Sequence, residues 1–203
     1  PLHSLVGMVM KDVGTPSLIV PQNASPHAHF LRPSEARALK QADLVVWIGP
    51  ELTPWLEKPV TTLAQDAVIL NLMDDPATQT LPFREGAAFE SHEDHDHDHG
   101  HGHSEEEAHD PHVWLDPQNA ARWLPRIAQL LSDIDPENKD TYAKNAQEAV
   151  ASVEALDQEL RERLEDLKAR PFVVFHDAYH YFEARYGVEA VGAIAASDAQ
   201  APG

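Results

Sequence analysis

Thirteen histidines and no cysteine set the chemistry open to this chain. Without a thiolate, only His, Asp and Glu can hold a transition metal, and zinc-finger, thiol-nucleophile and disulfide chemistry drop out. Seven histidines (His92, His95, His97, His99, His101, His103 and His109) crowd into "HEDHDHDHGHGHSEEEAH". That tract is polar, anionic and broken by glycine, so it builds no packed core and reads as a disordered loop. Its alternating His and Asp offer weak, exchangeable accessory sites for cations; a solvated acidic loop without a role is the plainer alternative.

Three histidine contexts stand apart from the tract. His27 and His29 lie in "ASPHAHFLRPSE" at a strand-to-helix crossover, His112 lies in "DPHVWLDP" before a helix, and His176 ends the strand "FVVFHD". Ligands of open α/β sheets collect beyond the carboxyl ends of strands, where two of these contexts sit. Taken singly, each is more often a packed or solvated residue, as His3 beside an apolar helix stripe is expected to be. "HDAYH" at 176–180 imitates the H-E-x-x-H zinc helix, but His176 is expected to finish a strand, and the pair shares a face only if both are helical.

The elements that must position these residues follow from periodicity. Leu2, Leu5, Val6, Val9 and Val13 form one helical stripe closed by Gly14. "SLIVP", "DLVVWIG" and "AVILNL" read as buried parallel strands, with a helix over "RPSEARALKQA" between the first two. Residues 73–111 lose periodicity. A helix then spans 117–134, with Asp116 as N-cap, Pro117 at its first position and Pro125 bending it. A second helix over 135–170, capped by Asp135, carries Tyr142, Ala146, Ala149, Val153, Leu156, Leu160, Leu164 and Leu167 at steps of three and four. Its ~33 residues at ~1.5 Å each make a rod of about 50 Å, longer than one lobe. Strand, helix and strand follow from Pro171. The fold class is therefore α/β: a first lobe over 1–116 that includes the long loop, a helix closing it over 117–134, a linking helix over 135–170, and an incomplete second lobe over 171–203.

The net charge of −19 argues against nucleic acid, whose phosphates need basic grooves, and suits cations. Residues 85–110 hold ten carboxylates and no Lys or Arg, about half of that excess. No run approaches the ~20 apolar residues of a membrane span.

Together, "PLHSLVGMVM", "ASPHAHFLRPSEARALKQADLVVWIGPELTPWL", "DPHVWLDPQNA", "FVVFHDAYHYFEARYG" and the His/Asp tract occur in an order that resembles a known family. It is that of the zinc-specific, ZnuA-type solute-binding proteins of bacterial ABC importers, in the cluster that includes manganese-binding adhesin-like receptors. The resemblance runs through nearly the whole chain. It implies two lobes, each a small parallel sheet flanked by helices, joined by one long rigid helix. It implies that His27, His112 and His176 bind one Zn²⁺ between the lobes, with Asp177 holding a ligand ring, and that His29 and His180 are neighbours. Three imidazoles suit zinc, whereas the manganese-binding relatives use carboxylates. Some zinc members carry Glu before the first ligand; Pro26 stands there, which leaves the fourth position to water first, or to a loop histidine or a group from the part of the second lobe missing here.

The implied function is capture of periplasmic Zn²⁺ and its delivery to an ABC-type zinc permease by a monomeric, non-enzymatic receptor. The tract would serve as an accessory collector or sensor of zinc. The alternatives are a zinc-dependent hydrolase using the same histidines, and a metal store made of the tract alone. The family's first strand and most of its second lobe have no counterpart, so a fragment is expected, with the signal peptide already gone.

Overall fold

The computed structural model describes residues 1–84 and 108–195. In the first lobe, β1 (Leu44–Trp47) and β2 (Val68–Asn71) pair in parallel, from Leu44 opposite Val68 to Trp47 opposite Asn71. The period of two divides their side chains between two cores. Val45 and Trp47 join Leu39 of α2 (Pro33–Lys40) and Leu56 and Val60 of α3 (Pro54–Leu63). Leu70 and Leu72 face the larger core, built with Leu5, Val6 and Val9 of α1 (Leu2–Val9) and Trp123, Leu124 and Ile127 of α4 (Pro117–Ile134). Asp116 caps α4, its carboxylate accepting from Gln118 N at 2.9 Å, and Pro117 opens the helix while Pro125 lies inside it.

The "SLIVP" strand does not form: residues 17–20 carry no strand pairing, and Leu18 is 44% exposed. Pro16 and Pro21 flank that stretch and each removes a backbone donor at its ends, while the Pro16 carbonyl pairs with His3 Nε2 at 3.0 Å. His27 therefore lies on an irregular segment, without a strand before it.

The long helix is shorter and less buried than its stripe predicts. A 3-10 turn over Pro136–Asn138 precedes α5 (Lys139–Leu164), and another, Glu165–Leu167, follows it. Asp135 does not cap the backbone; it accepts from Asn138 Nδ2 at 2.8 Å and from the Tyr142 hydroxyl at 2.9 Å. Burial and that carboxylate push Tyr142 up to about 12. Tyr142, Ala146 and Ala149 enter the main core, but Leu156 and Leu167 are exposed.

Beyond α5, β3 (Phe172–His176), α6 (His180–Tyr186) and β4 (Ala190–Ala195) form a parallel strand–helix–strand unit, with α6 stopped by Gly187 at φ 66°. Phe175 and Val173 point outward, so His176 shares the other face with buried Val174. The architecture is thus mixed α/β, with two small parallel sheets flanked by helices and a long helix between them. None of the described helices is long and apolar enough to cross a membrane.

Candidate metal centre

Each of the three histidines is held by its own local device. Trp55 Nε1 donates to the Pro26 carbonyl at 2.8 Å and Ser25 Oγ accepts from His27 N at 3.2 Å, which pins the irregular segment beneath His27. His112 opens the 3-10 turn Val113–Leu115, whose Val113 carbonyl accepts from fully buried Asn119 at 3.0 Å. His176 is the last residue of β3, opposite Ala195.

These devices bring the three rings together. Centroids lie 5.2 Å apart for His27 and His112, 5.4 Å for His112 and His176, and 5.8 Å for His27 and His176. One ring nitrogen from each falls within 4.8 Å of the others, and no further residue joins this group among those described. The Nε2 atoms of His27 and His112 are 3.3 Å apart. A tetrahedral ion with nitrogen ligands at ~2.0–2.1 Å sets its ligands about 3.3–3.4 Å apart, so this edge already has the spacing of a zinc site. The ring of His176 lies slightly farther off, its centroid 5.4 and 5.8 Å from those of His112 and His27.

Asp110 settles which nitrogen of His112 faces the cluster. Its Oδ1 accepts from His112 N at 2.9 Å and lies 2.6 Å from His112 Nδ1, and both side chains are buried. An ionised carboxylate only accepts, so Nδ1 carries the proton and Nε2 presents its lone pair. The Asp110 carbonyl in turn accepts from the Tyr181 hydroxyl at 2.7 Å. Across the cleft, Asp177, expected to hold a ligand ring, accepts from Arg84 Nη2 at 2.9 Å. Burial raises the Asp177 carboxyl above its usual range; Arg84 opposes this, while Asp110 and Glu183 add to it.

The remaining histidines divide as follows. His29 Nε2 meets Glu35 Oε2 at 3.0 Å and stacks edgewise on Trp55, outside the cluster. His180 starts α6 and is also outside it. His109 pairs through its backbone with Pro82 and belongs to no ligand group among the described residues. His92, His95, His97, His99, His101 and His103 lie outside the described residues. Sequence reasoning missed Asp110, Arg84, Tyr181 and Glu183. Only Asp110 carried a signal, as an Asx-type turn two residues before His112.

Known proteins are similar to this chain along its length. The family described as zinc-uptake complex component A, periplasmic (ZnuA), matches residues 1–203. The chain is 45% identical to the high-affinity zinc uptake system protein ZnuA of Paracoccus denitrificans (strain Pd 1222), over 98% of this chain and 65% of that one. With the protein of that name from Brucella abortus (strain 2308) it shares 42%, over 100% of this chain and 67% of the relative. It spans about two thirds of the length of these relatives. A ZnuA crystal structure superposes with a TM-score of 0.79 at 25% identity, covering 100% of this chain and 70% of that one. A three-histidine cluster at the meeting of two α/β units, in a sequence matched from end to end, has one family assignment: the chain belongs to the ZnuA family of periplasmic zinc-uptake components.

Proposed function

We infer that the chain captures Zn²⁺ in the periplasm with His27, His112 and His176 and hands it to an ABC-type zinc permease. The observation that carries this reading is the convergence of three imidazole nitrogens within 4.8 Å, one pair already at 3.3 Å. His27 and His112 belong to the first lobe and its end and His176 to the second, so the ion sits between them and can leave when they part. Nitrogen donors select zinc over hard oxygen-seeking ions such as Mg²⁺ and Ca²⁺. Water fills the fourth position.

An open position on zinc is also the mark of a hydrolase. Carriage is favoured because the carboxylates beside the ligands are engaged: Asp110 on His112 and Asp177 on Arg84. Neither is left as a general base for a bound water. The protein acts as a monomer, and the tract at 92–109 collects or senses further zinc ions weakly.

The test is a zinc titration of the chain and of a variant with all three histidines replaced by Ala, with a parallel screen against ester, peptide and phosphate substrates. One tight ion, lost in the triple variant and without turnover, supports the receptor. Robust turnover by the zinc-loaded protein would sink it.

A further inference from the structure

Residues on either side of 85–107 form a short antiparallel stem. Pro82 bridges His109, Phe83 N donates to the Ala108 carbonyl at 3.3 Å, and Asp110 N donates to the Leu81 carbonyl at 2.9 Å. The stem is fixed to the first lobe, since Asn119 exchanges two hydrogen bonds with the Gln79 backbone and Trp123 Nε1 donates to Thr78 Oγ1. From it, two side-chain contacts reach the second lobe. The Tyr181 hydroxyl accepts from Leu81 N at 2.8 Å while donating to the Asp110 carbonyl. Arg84 forks onto both oxygens of Glu183, at 3.0 and 2.7 Å, and onto Asp177 Oδ1.

That fork holds two carboxylates of the second unit that lie close to His176 in the fold. Asp177 is its chain neighbour, and Ala178 N donates to the His176 carbonyl at 3.0 Å, closing a tight turn there. Glu183 sits on α6 and also accepts from Ala190 N, at the start of β4, at 2.7 Å. Glu183 is almost fully buried and Asp177 mostly so. Two buried carboxylates repel unless a cation joins them. A planar guanidinium spans both, whereas an ammonium is a point charge. The second lobe contributes only one of the three histidines, so the contact that seats β3 also sets the distance from His176 to the other two.

We propose that Arg84 is a positioning residue for the metal centre, gripping Asp177 and Glu183 from the first lobe and thereby holding His176 against His27 and His112. This rests on the zinc-capture reading above. The test compares the intact chain with Arg84→Met, Arg84→Lys and the double variant Arg84→Met/Glu183→Gln. Zinc Kd is read by chelator competition, the site by Co²⁺ absorption, and stability by thermal melting. Arg84→Met raises the zinc Kd about 10–100-fold, the range for outer partners of metal ligands, and the Co²⁺ spectrum loses the intensity of a tetrahedral three-imidazole site. Arg84→Lys recovers part of the affinity. The double variant, which removes a carboxylate left unpaired, recovers melting temperature and not affinity.

Wild-type Kd and Co²⁺ spectrum in Arg84→Met would overturn the proposal. So would affinity that returns together with melting temperature in the double variant, because Arg84 would then act through stability alone. Wild-type protein that takes up no zinc would overturn the capture reading itself, and this inference with it.

Discussion

Asp110 offers the sharpest perturbation of the site that leaves all three imidazoles in place. Its Oδ1 accepts two hydrogen bonds from His112, at 2.6 and 2.9 Å, with both side chains buried. A hydrogen bond to a charged group contributes about 1.5–3 kcal/mol, and 1.4 kcal/mol is about tenfold in affinity. Asp110→Ala should therefore raise the zinc Kd by about 10–100-fold, in line with other carboxylates behind metal-bound histidines. Asp110→Asn keeps an oxygen that accepts from Nδ1, but a neutral bond is worth about half a charged one, so the rise should be only about three- to tenfold. Competition against a chromophoric chelator at neutral pH measures the three constants, and melting of the metal-free proteins checks that each is folded. The expected order is wild type, Asn, Ala. Two folded variants that both bind as tightly as wild type would refute the claim that Asp110 sets the His112 tautomer and orientation.

Other expectations follow from the same geometry. His112→Ala should abolish tight zinc binding, whereas His29→Ala should leave the zinc Kd unchanged in the same assay; because it removes a partner of buried Glu35, it should cost about 1 kcal/mol of stability in denaturant melts. Zinc affinity should fall as pH drops through the histidine range near ~6.5, because each ligand must give up its proton to bind, and flat affinity across that range would count against imidazole ligation. Asp157 is held below the usual carboxylate range by its hydrogen bonds to Arg185, against an opposing effect of burial and with help from Tyr186. A depressed native value binds fewer protons than the unfolded chain, so its contribution is complete above ~4 and fades as pH falls through the native value. Urea melts of Asp157→Asn across that acid range should show a flatter loss of stability than wild type.

What could be read from the sequence was what short range decides. Asp116 and Pro117 start α4 because cap and first-turn preferences need only neighbouring residues. β3 ends at His176, where the apolar run meets Asp177. The resemblance assigned His27, His112 and His176 to one site, and their rings lie together. The apolar run in "SLIVP" suggests a strand, but the prolines at 16 and 21 that bracket residues 17–20 remove a backbone donor at each end. Asp135 misled because a side-chain amide and a phenol competed for its carboxylate, which only the packed structure could reveal.

Arg84 and Asp110 were hidden for a different reason. In sequence they border a run of acidic residues, where charges read as solvated. In three dimensions the flanks of that run pair with each other and turn inward, so the same charges become buried partners of the second lobe and of His112.

The central claim is that three imidazoles hold one zinc ion, and anomalous scattering at the zinc edge from zinc-loaded crystals tests it directly. The account predicts one strong peak at ~2.0–2.1 Å from a ring nitrogen of each of His27, His112 and His176. A loaded crystal with that position empty, or with its strongest ion held elsewhere, would contradict it.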